Sequence, residues 1–293
     1  MSTTTEPTWR TADQWLTVGA ELGEGPFWDG RTGDLGFVDI AAGRLFRTDG
    51  SQLTTVCEID RPLGAALPSV RDGEYLLAAR EGFLLRRGSG EIQTLLEVLG
   101  NRPDLRFNDA KCDPAGRVVA GTLSLTEEPA AAALLVLDDG PAMRELLAPV
   151  GLSNGLGWSP DGGTLYFADT VAGTVTRFGY DPGTATLRGG EVIVTVSGPD
   201  GLCIDETGAV WLALWDGGRV HRYTPDGRLD LVVELPVPHA TSCAFFGDLL
   251  VITTARATRP DGSACAPLAG DLFAIDVGVS APPAQLWNPV TSR

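Results

Sequence analysis

The hydrophobic positions fall into short runs, each opened by a glycine turn, and not into the long 3.6-residue stripes of amphipathic helices. The unit is legible at Gly33-Asp34-Leu35-Gly36-Phe37-Val38 and at Gly73-Glu74-Tyr75-Leu76-Leu77-Ala78. It returns at Gly116-Arg117-Val118-Val119-Ala120 and Gly163-Thr164-Leu165-Tyr166-Phe167-Ala168. Two more copies stand at Gly208-Ala209-Val210-Trp211-Leu212-Ala213 and Gly247-Asp248-Leu249-Leu250-Val251-Ile252. The six glycines are 40, 43, 47, 45 and 39 residues apart. A period of roughly 40–45 residues is that of a four-stranded propeller blade. Several units add a second turn and strand, as at Ala42-Gly43-Arg44-Leu45-Phe46-Arg47 and Gly217-Gly218-Arg219-Val220-His221-Arg222. Asp161-Gly162, Asp181-Pro182 and Asp226-Gly227 suit hairpin turns. The nearest approach to a helix is Ala130–Leu137, whose Leu-Leu-Val-Leu end suits a strand equally well. The pattern predicts an all-β fold, a single six-bladed β-propeller with four-stranded antiparallel blades over residues 15–293, after a flexible tail at 1–14. Trp15–Val18 and Ala284–Trp287 are apolar pieces suited to closing the ring.

Composition sharpens this picture. Gly 37 and Pro 20 in 293 residues supply the turns that many short strands need. The formal charge of −16 repels phosphate backbones and acidic lipid, so neither nucleic acid nor membrane is the expected partner. No run approaches the ~20 apolar residues of a membrane helix, and Met1–Asp13 lacks the apolar segment of a secretory signal. The five cysteines are odd in number and show no C-x-x-C spacing, which suits reduced core thiols in a cytoplasmic protein. A closed propeller can stand as a monomer or a weak homo-oligomer. Lysine occurs once, at Lys111.

Candidate chemistry comes from the phase of the repeats. The strand before each first turn is the innermost of its blade, and its start lines one mouth of the channel. Counting back eight or nine residues from each turn glycine reaches Glu24, Gly64 or Ala65, Asn108, Asn154, Asp200, and finally His239 or its neighbour Ala240. Two carboxylates and two carboxamides at equivalent positions form an oxygen-rich cage of the kind hard divalent cations prefer. Singly, Asn154-Gly155, Asp200-Gly201 and Asn108-Asp109 are ordinary turn sequences; the shared phase separates the two readings. Gly151-Leu152-Ser153-Asn154-Gly155 also matches the G-x-S-x-G nucleophile elbow. That elbow needs a helix after the serine, whereas Leu156–Thr170 reads as strand, turn and strand, and only His221 and His239 are available for a triad.

At these residues the sequence resembles the regucalcin/gluconolactonase family, of the senescence-marker-protein type. The resemblance is carried by Leu22-Gly-Glu-Gly-Pro-Phe-Trp28, Arg106-Phe-Asn-Asp-Ala-Lys-Cys-Asp-Pro-Ala-Gly-Arg117, Gly121-Thr122 and Ser153-Asn-Gly-Leu-Gly-Trp-Ser-Pro-Asp-Gly162. Pro199-Asp-Gly-Leu-Cys-Ile-Asp205, Gly217-Gly-Arg-Val220 and Thr241-Ser-Cys-Ala-Phe245 extend it over nearly the whole chain. It implies one divalent cation (Ca²⁺, Zn²⁺, Mn²⁺, Mg²⁺ or Fe²⁺) held by Glu24, Asn154 and Asp200. It also implies Asp200 as general base, Arg106 and the glutamate after Gly-Thr, here Glu127, as substrate contacts, and Asn108 as a further ligand or a substrate contact. Ala110 stands where the family usually has glycine. The implied activity is hydrolysis of a sugar-acid lactone or similar small lactone. A related hydrolase of aryl esters, phosphotriesters or a specialised-metabolite lactone is the alternative within enzymes; a non-catalytic calcium-binding propeller is the alternative outside them.

Overall fold

A computed structural model describes residues 6–126, 131–137, 143–256 and 265–289. It contains six sheets, each with four antiparallel strands, which form a six-bladed β-propeller. The innermost strands are Gly23–Asp29, Leu63–Pro68, Leu105–Cys112, Ser153–Trp158, Pro199–Ile204 and Ala240–Phe246, for blades 1 to 6. Within each blade the chain then runs outward strand by strand, as the glycine period predicts. Five of the six turn glycines (Gly33, Gly73, Gly116, Gly208 and Gly247) take positive φ, and in blade 4 the residue doing so is Gly162, one place earlier. An L side chain at these tight turns would be strained, so the period is a backbone requirement. Ala132–Leu137, ambiguous by pattern, is a strand of blade 3. Among the described residues no helix is long and apolar enough to cross a membrane.

Blades pack face to face through alternate residues of their strands. The junction of blades 2 and 3, for example, buries Leu76, Phe83, Phe107, Val118 and Ala120. That of blades 5 and 6 buries Trp211, Val220, Cys243, Phe245 and Ile252. All five cysteines are free, and Cys112 and Cys243 are buried.

The N-terminal segment adds a strand to each of two blades. Asp13–Leu16 forms the outer strand of blade 6, antiparallel to Leu272–Asp276. Thr8–Thr11, within the stretch expected as a tail, adds a fifth strand to blade 5, parallel to Leu229–Glu234. The backbone of this segment finds ladder partners because both outer strands otherwise end in open edges. Ala284–Trp287 joins no blade. It crosses the face where the inner strands end, with Ala284 N donating to Trp28 O at 2.9 Å and Trp287 N to Pro68 O at 2.8 Å.

Candidate functional site

At the opposite face, where the inner strands begin, the repeat phase brings four oxygen-bearing side chains into the channel mouth. Glu24, Asn108, Asn154 and Asp200 are all buried. The first inner position of blade 2 is Gly64, which presents no side chain, and in blade 6 His239 instead stacks on Trp215 at 4.5 Å. His239 Nδ1 lies 2.9 Å from Asp216 Oδ1, so this ring belongs to the rim of blade 5.

Register shifts explain why each donor turns inward. The ladders of blades 1, 3, 4 and 5 are irregular between Glu24 and Phe27, Phe107 and Ala110, Ser153 and Leu156, and Pro199 and Leu202. Each bulge breaks the alternation just at the donor. The glycine that follows serves a second purpose in blades 4 and 5. A Cβ on Gly155 would meet Leu202 N at 2.4 Å and Asp200 O at 2.6 Å; one on Gly201 would meet Ser242 Oγ at 2.1 Å. Asn154-Gly155 and Asp200-Gly201 are therefore blade contacts, not turns.

Two aspartates invisible to the counting argument hold the donors in place. Asp39 accepts Glu21 N at 2.9 Å and Leu22 N at 3.1 Å, two residues before Glu24. Asp169 accepts Gly151 N at 2.8 Å and Leu152 N at 3.1 Å, two residues before Asn154. A sequence signal was present: both open an Asp-x-x-Ala-Gly segment, Asp39 to Gly43 and Asp169 to Gly173.

Electrostatically the mouth is a set of confined like charges. Burial, then the nearby Asp109 charge, pushes the Glu24 carboxyl up to about 8, against opposing pulls from Gly25 N–H, Arg106 and Lys111. Burial, then the Glu24 charge, pushes Asp200 well above the usual carboxylate range, although Asn154 hydrogen-bonds to it. Burial also lowers the Arg106 guanidinium to about 10, with Glu24 opposing that shift. Arg106 Nη1 donates to Phe107 O at 2.9 Å. Asn108 Nδ2 donates to Ser153 O at 3.0 Å and Asn154 Nδ2 to Thr170 Oγ1 at 3.1 Å, leaving each Oδ1 as the acceptor end. Buried carboxylates pushed up by burial and by neighbouring negative charge are what a cation relieves. The oxygens of Glu24, Asn154 and Asp200 are the donor types a hard divalent ion prefers. Among the described residues no group of three His, Cys, Asp or Glu is arranged to hold a metal.

The structure thus brings together Glu24, Arg106, Asn108, Asn154 and Asp200. Glu127 lies outside the described residues. Ser153 is fully buried between two strands, with Oγ lacking a partner, and no helix follows it, so the G-x-S-x-G match presents no nucleophile.

Fold and mouth together define a six-bladed propeller with an oxygen-lined site at one end of its channel. The chain belongs to the SMP-30/gluconolactonase/LRE-like family, whose model matches residues 22–256. It is 34% identical over 286 residues to a pentonolactonase of Haloferax volcanii, covering 93% of this chain and 97% of that protein. It is 32% identical over 271 residues to regucalcin of Xenopus laevis, covering 87% and 90% of the two chains. Among solved structures it is similar to a calcium-binding protein, regucalcin, from Agrobacterium tumefaciens, with a TM-score of 0.89 at 27% identity. That match covers 96% of this chain and 99% of the other.

Proposed function

We propose that this protein is a divalent-metal-dependent lactonase acting on a sugar-acid lactone or a similar small lactone. The observation that carries the proposal is the buried Glu24–Asp200 carboxylate pair, joined to Asn154 and set beside the Arg106 guanidinium. Glu24, Asn154 and Asp200 would hold the cation. When bound, such an ion supplies Lewis-acid polarisation of an ester carbonyl and a positive charge for the oxyanion that develops on it.

The remaining work falls to the chain. Asp200 takes the proton of the attacking water on a carboxylate oxygen, a contribution of typically ~10²–10⁴-fold. Arg106 presents a fork of N–H donors to the oxygens of a hydroxylated ring. Asn108, its Nδ2 committed to Ser153 O, offers Oδ1 to a substrate hydroxyl. A pure cation site has no use for a buried guanidinium, which would oppose the ion; its presence favours a substrate-binding mouth. The relatives' names point the same way in the case of the pentonolactonase.

The test is turnover on a panel of aldonolactones, aryl esters and phosphotriesters, with and without chelator. Chelation should abolish lactone hydrolysis and metal restore it. At saturating metal, Asp200→Asn should lower kcat by ~10²-fold or more, while Arg106→Ala should chiefly raise KM. Turnover of esters but not lactones would move the assignment to the related hydrolases. Calcium binding without turnover of any of these substrates would leave a non-catalytic metal-binding propeller; the Agrobacterium protein is a calcium-binding one.

A further inference from the structure

The chain carries 22 Lys and Arg residues, and Lys111 is the one lysine among them. It is placed inside the channel, lining a cavity of about 130 Å³ together with Asp109, Cys203 and Ala244. Asp109 lies in the register shift of blade 3 and Lys111 just after it, paired with Val119, and both line this cavity. Asp109 is buried and its Oδ1 has no hydrogen-bond partner; burial pushes its carboxyl up, and the Lys111 charge opposes that shift.

From blade 3 the Lys111 ammonium reaches beyond blade 4 and donates to the Leu202 carbonyl of blade 5 at 2.6 Å. Blade 4 leaves room because its inner strand carries glycine at this level. Gly157 lines a cavity shared with Lys111, Cys203 and Ile204. A Cβ on Gly157 would meet Ile204 Cγ1 at 3.0 Å and Leu202 Cδ1 at 3.1 Å. Leu202 lies two residues beyond Asp200 on the same strand. Charge-assisted bonds of this kind are short and roughly twice as strong as neutral ones. A compact ammonium also fits a narrow channel where the planar fork of arginine would not.

We propose that Lys111 is a positioning residue: anchored in blade 3, it grips the Leu202 carbonyl of blade 5 and so fixes where the Asp200 carboxylate stands. The kinetic consequence rests on the lactonase proposal above; the geometric one does not. A protein labelled with [¹⁵N]lysine has one side-chain ammonium, so its spectrum has a single Nζ signal. At neutral pH that signal should be visible and slow to exchange, and it should shift when Ca²⁺ is added. A rapidly exchanging, solvent-like signal that ignores Ca²⁺ would overturn the proposal. Lys111→Met keeps most of the stem and removes the donor. It should lower lactone kcat at saturating metal by ~10-fold or more while KM stays within about 3-fold, because the base is displaced and the substrate contacts are not. Full kcat in Lys111→Met, with wild type active, sinks the proposal and leaves the lactonase assignment standing. Should wild type hydrolyse no lactone, that assignment fails and the ammonium signal still decides. The same holds if Lys111→Met does not fold.

Discussion

Asp169 holds the backbone two residues before Asn154. It accepts the N–H groups of Gly151, Leu152, Val171 and Ala172, tying the start of an inner strand to the rim loop of its own blade. Asp169→Ala leaves these donors without their acceptor. Supporting residues of this kind typically cost 10–100-fold in metal affinity when removed. Calorimetric titration with Ca²⁺ should therefore show binding weakened by ~10-fold in Asp169→Ala; unchanged affinity would deny the aspartate a positioning role. A different residue governs acid stability. His221 is half-buried, with Nδ1 at 2.9 Å from the Tyr223 hydroxyl and Nε2 buried without a partner. Burial, helped by the Arg219 charge, pushes its pKa from 6.5 down to about 4. The folded protein refuses a proton that the unfolded chain accepts, so stability is complete above the unfolded value and is lost as pH falls from 6.5 towards 4. The loss is on the order of 2 kcal/mol. Urea unfolding at both ends of this window should show a shallower decline in His221→Gln than in wild type; parallel declines would assign the acid sensitivity to other groups.

At the scale of strands, the glycines of the inner layer are the tightest constraint. Gly155→Ala sets a methyl group against the backbone of Leu202 and Asp200, atoms that cannot swing aside. Overpacking of this kind costs typically ~1–3 kcal/mol. Here the displaced strand also carries a proposed ligand. Gly155→Ala should lower the melting temperature and weaken Ca²⁺ binding together; a folded variant with wild-type affinity would show that the blades have slack. These glycines also mark the limit of what the chain discloses on inspection. The six turns were legible because positive φ and strand alternation are local properties, and counting from Gly33, Gly163 or Gly208 reaches Glu24, Asn154 and Asp200 by backbone geometry alone. Gly155 and Gly201 were ambiguous because a glycine needed for φ and one needed for close approach look identical in sequence. Asp39 and Lys111 were harder still. Their partners lie in another strand or another blade, and no spacing along the chain encodes the 2.6 Å contact between Lys111 and Leu202.

For the molecule as a whole, integrity depends on the seam between blades 6 and 1. Asp13–Leu16 completes blade 6, and across the seam Thr241 Oγ1 donates to the Gly23 carbonyl beside Glu24. Removing residues 1–16 should therefore injure the site as well as the ring. The expected outcome is a lower melting temperature and weakened Ca²⁺ binding, measured by scanning and titration calorimetry; retention of both would mean that five complete blades and a three-stranded sixth suffice.

The pairing of Asp13 with Ala274 also sets a timetable. It joins positions almost a full chain length apart, the kind of contact whose entropy must be met before it returns anything. A ribosome makes Asp13 long before Ala274. Throughout most of synthesis the early segment has no mate, while Leu272–Asp276 has not yet been made. Newborn chains thus carry this unpaired edge through the making of the five intervening blades, with the hazard of pairing between neighbours on one message that such edges bring. A circular permutant whose new ends fall in the Asp161-Gly162 turn would make both halves of the seam consecutively, and so exchange a late, distant closure for an early, local one.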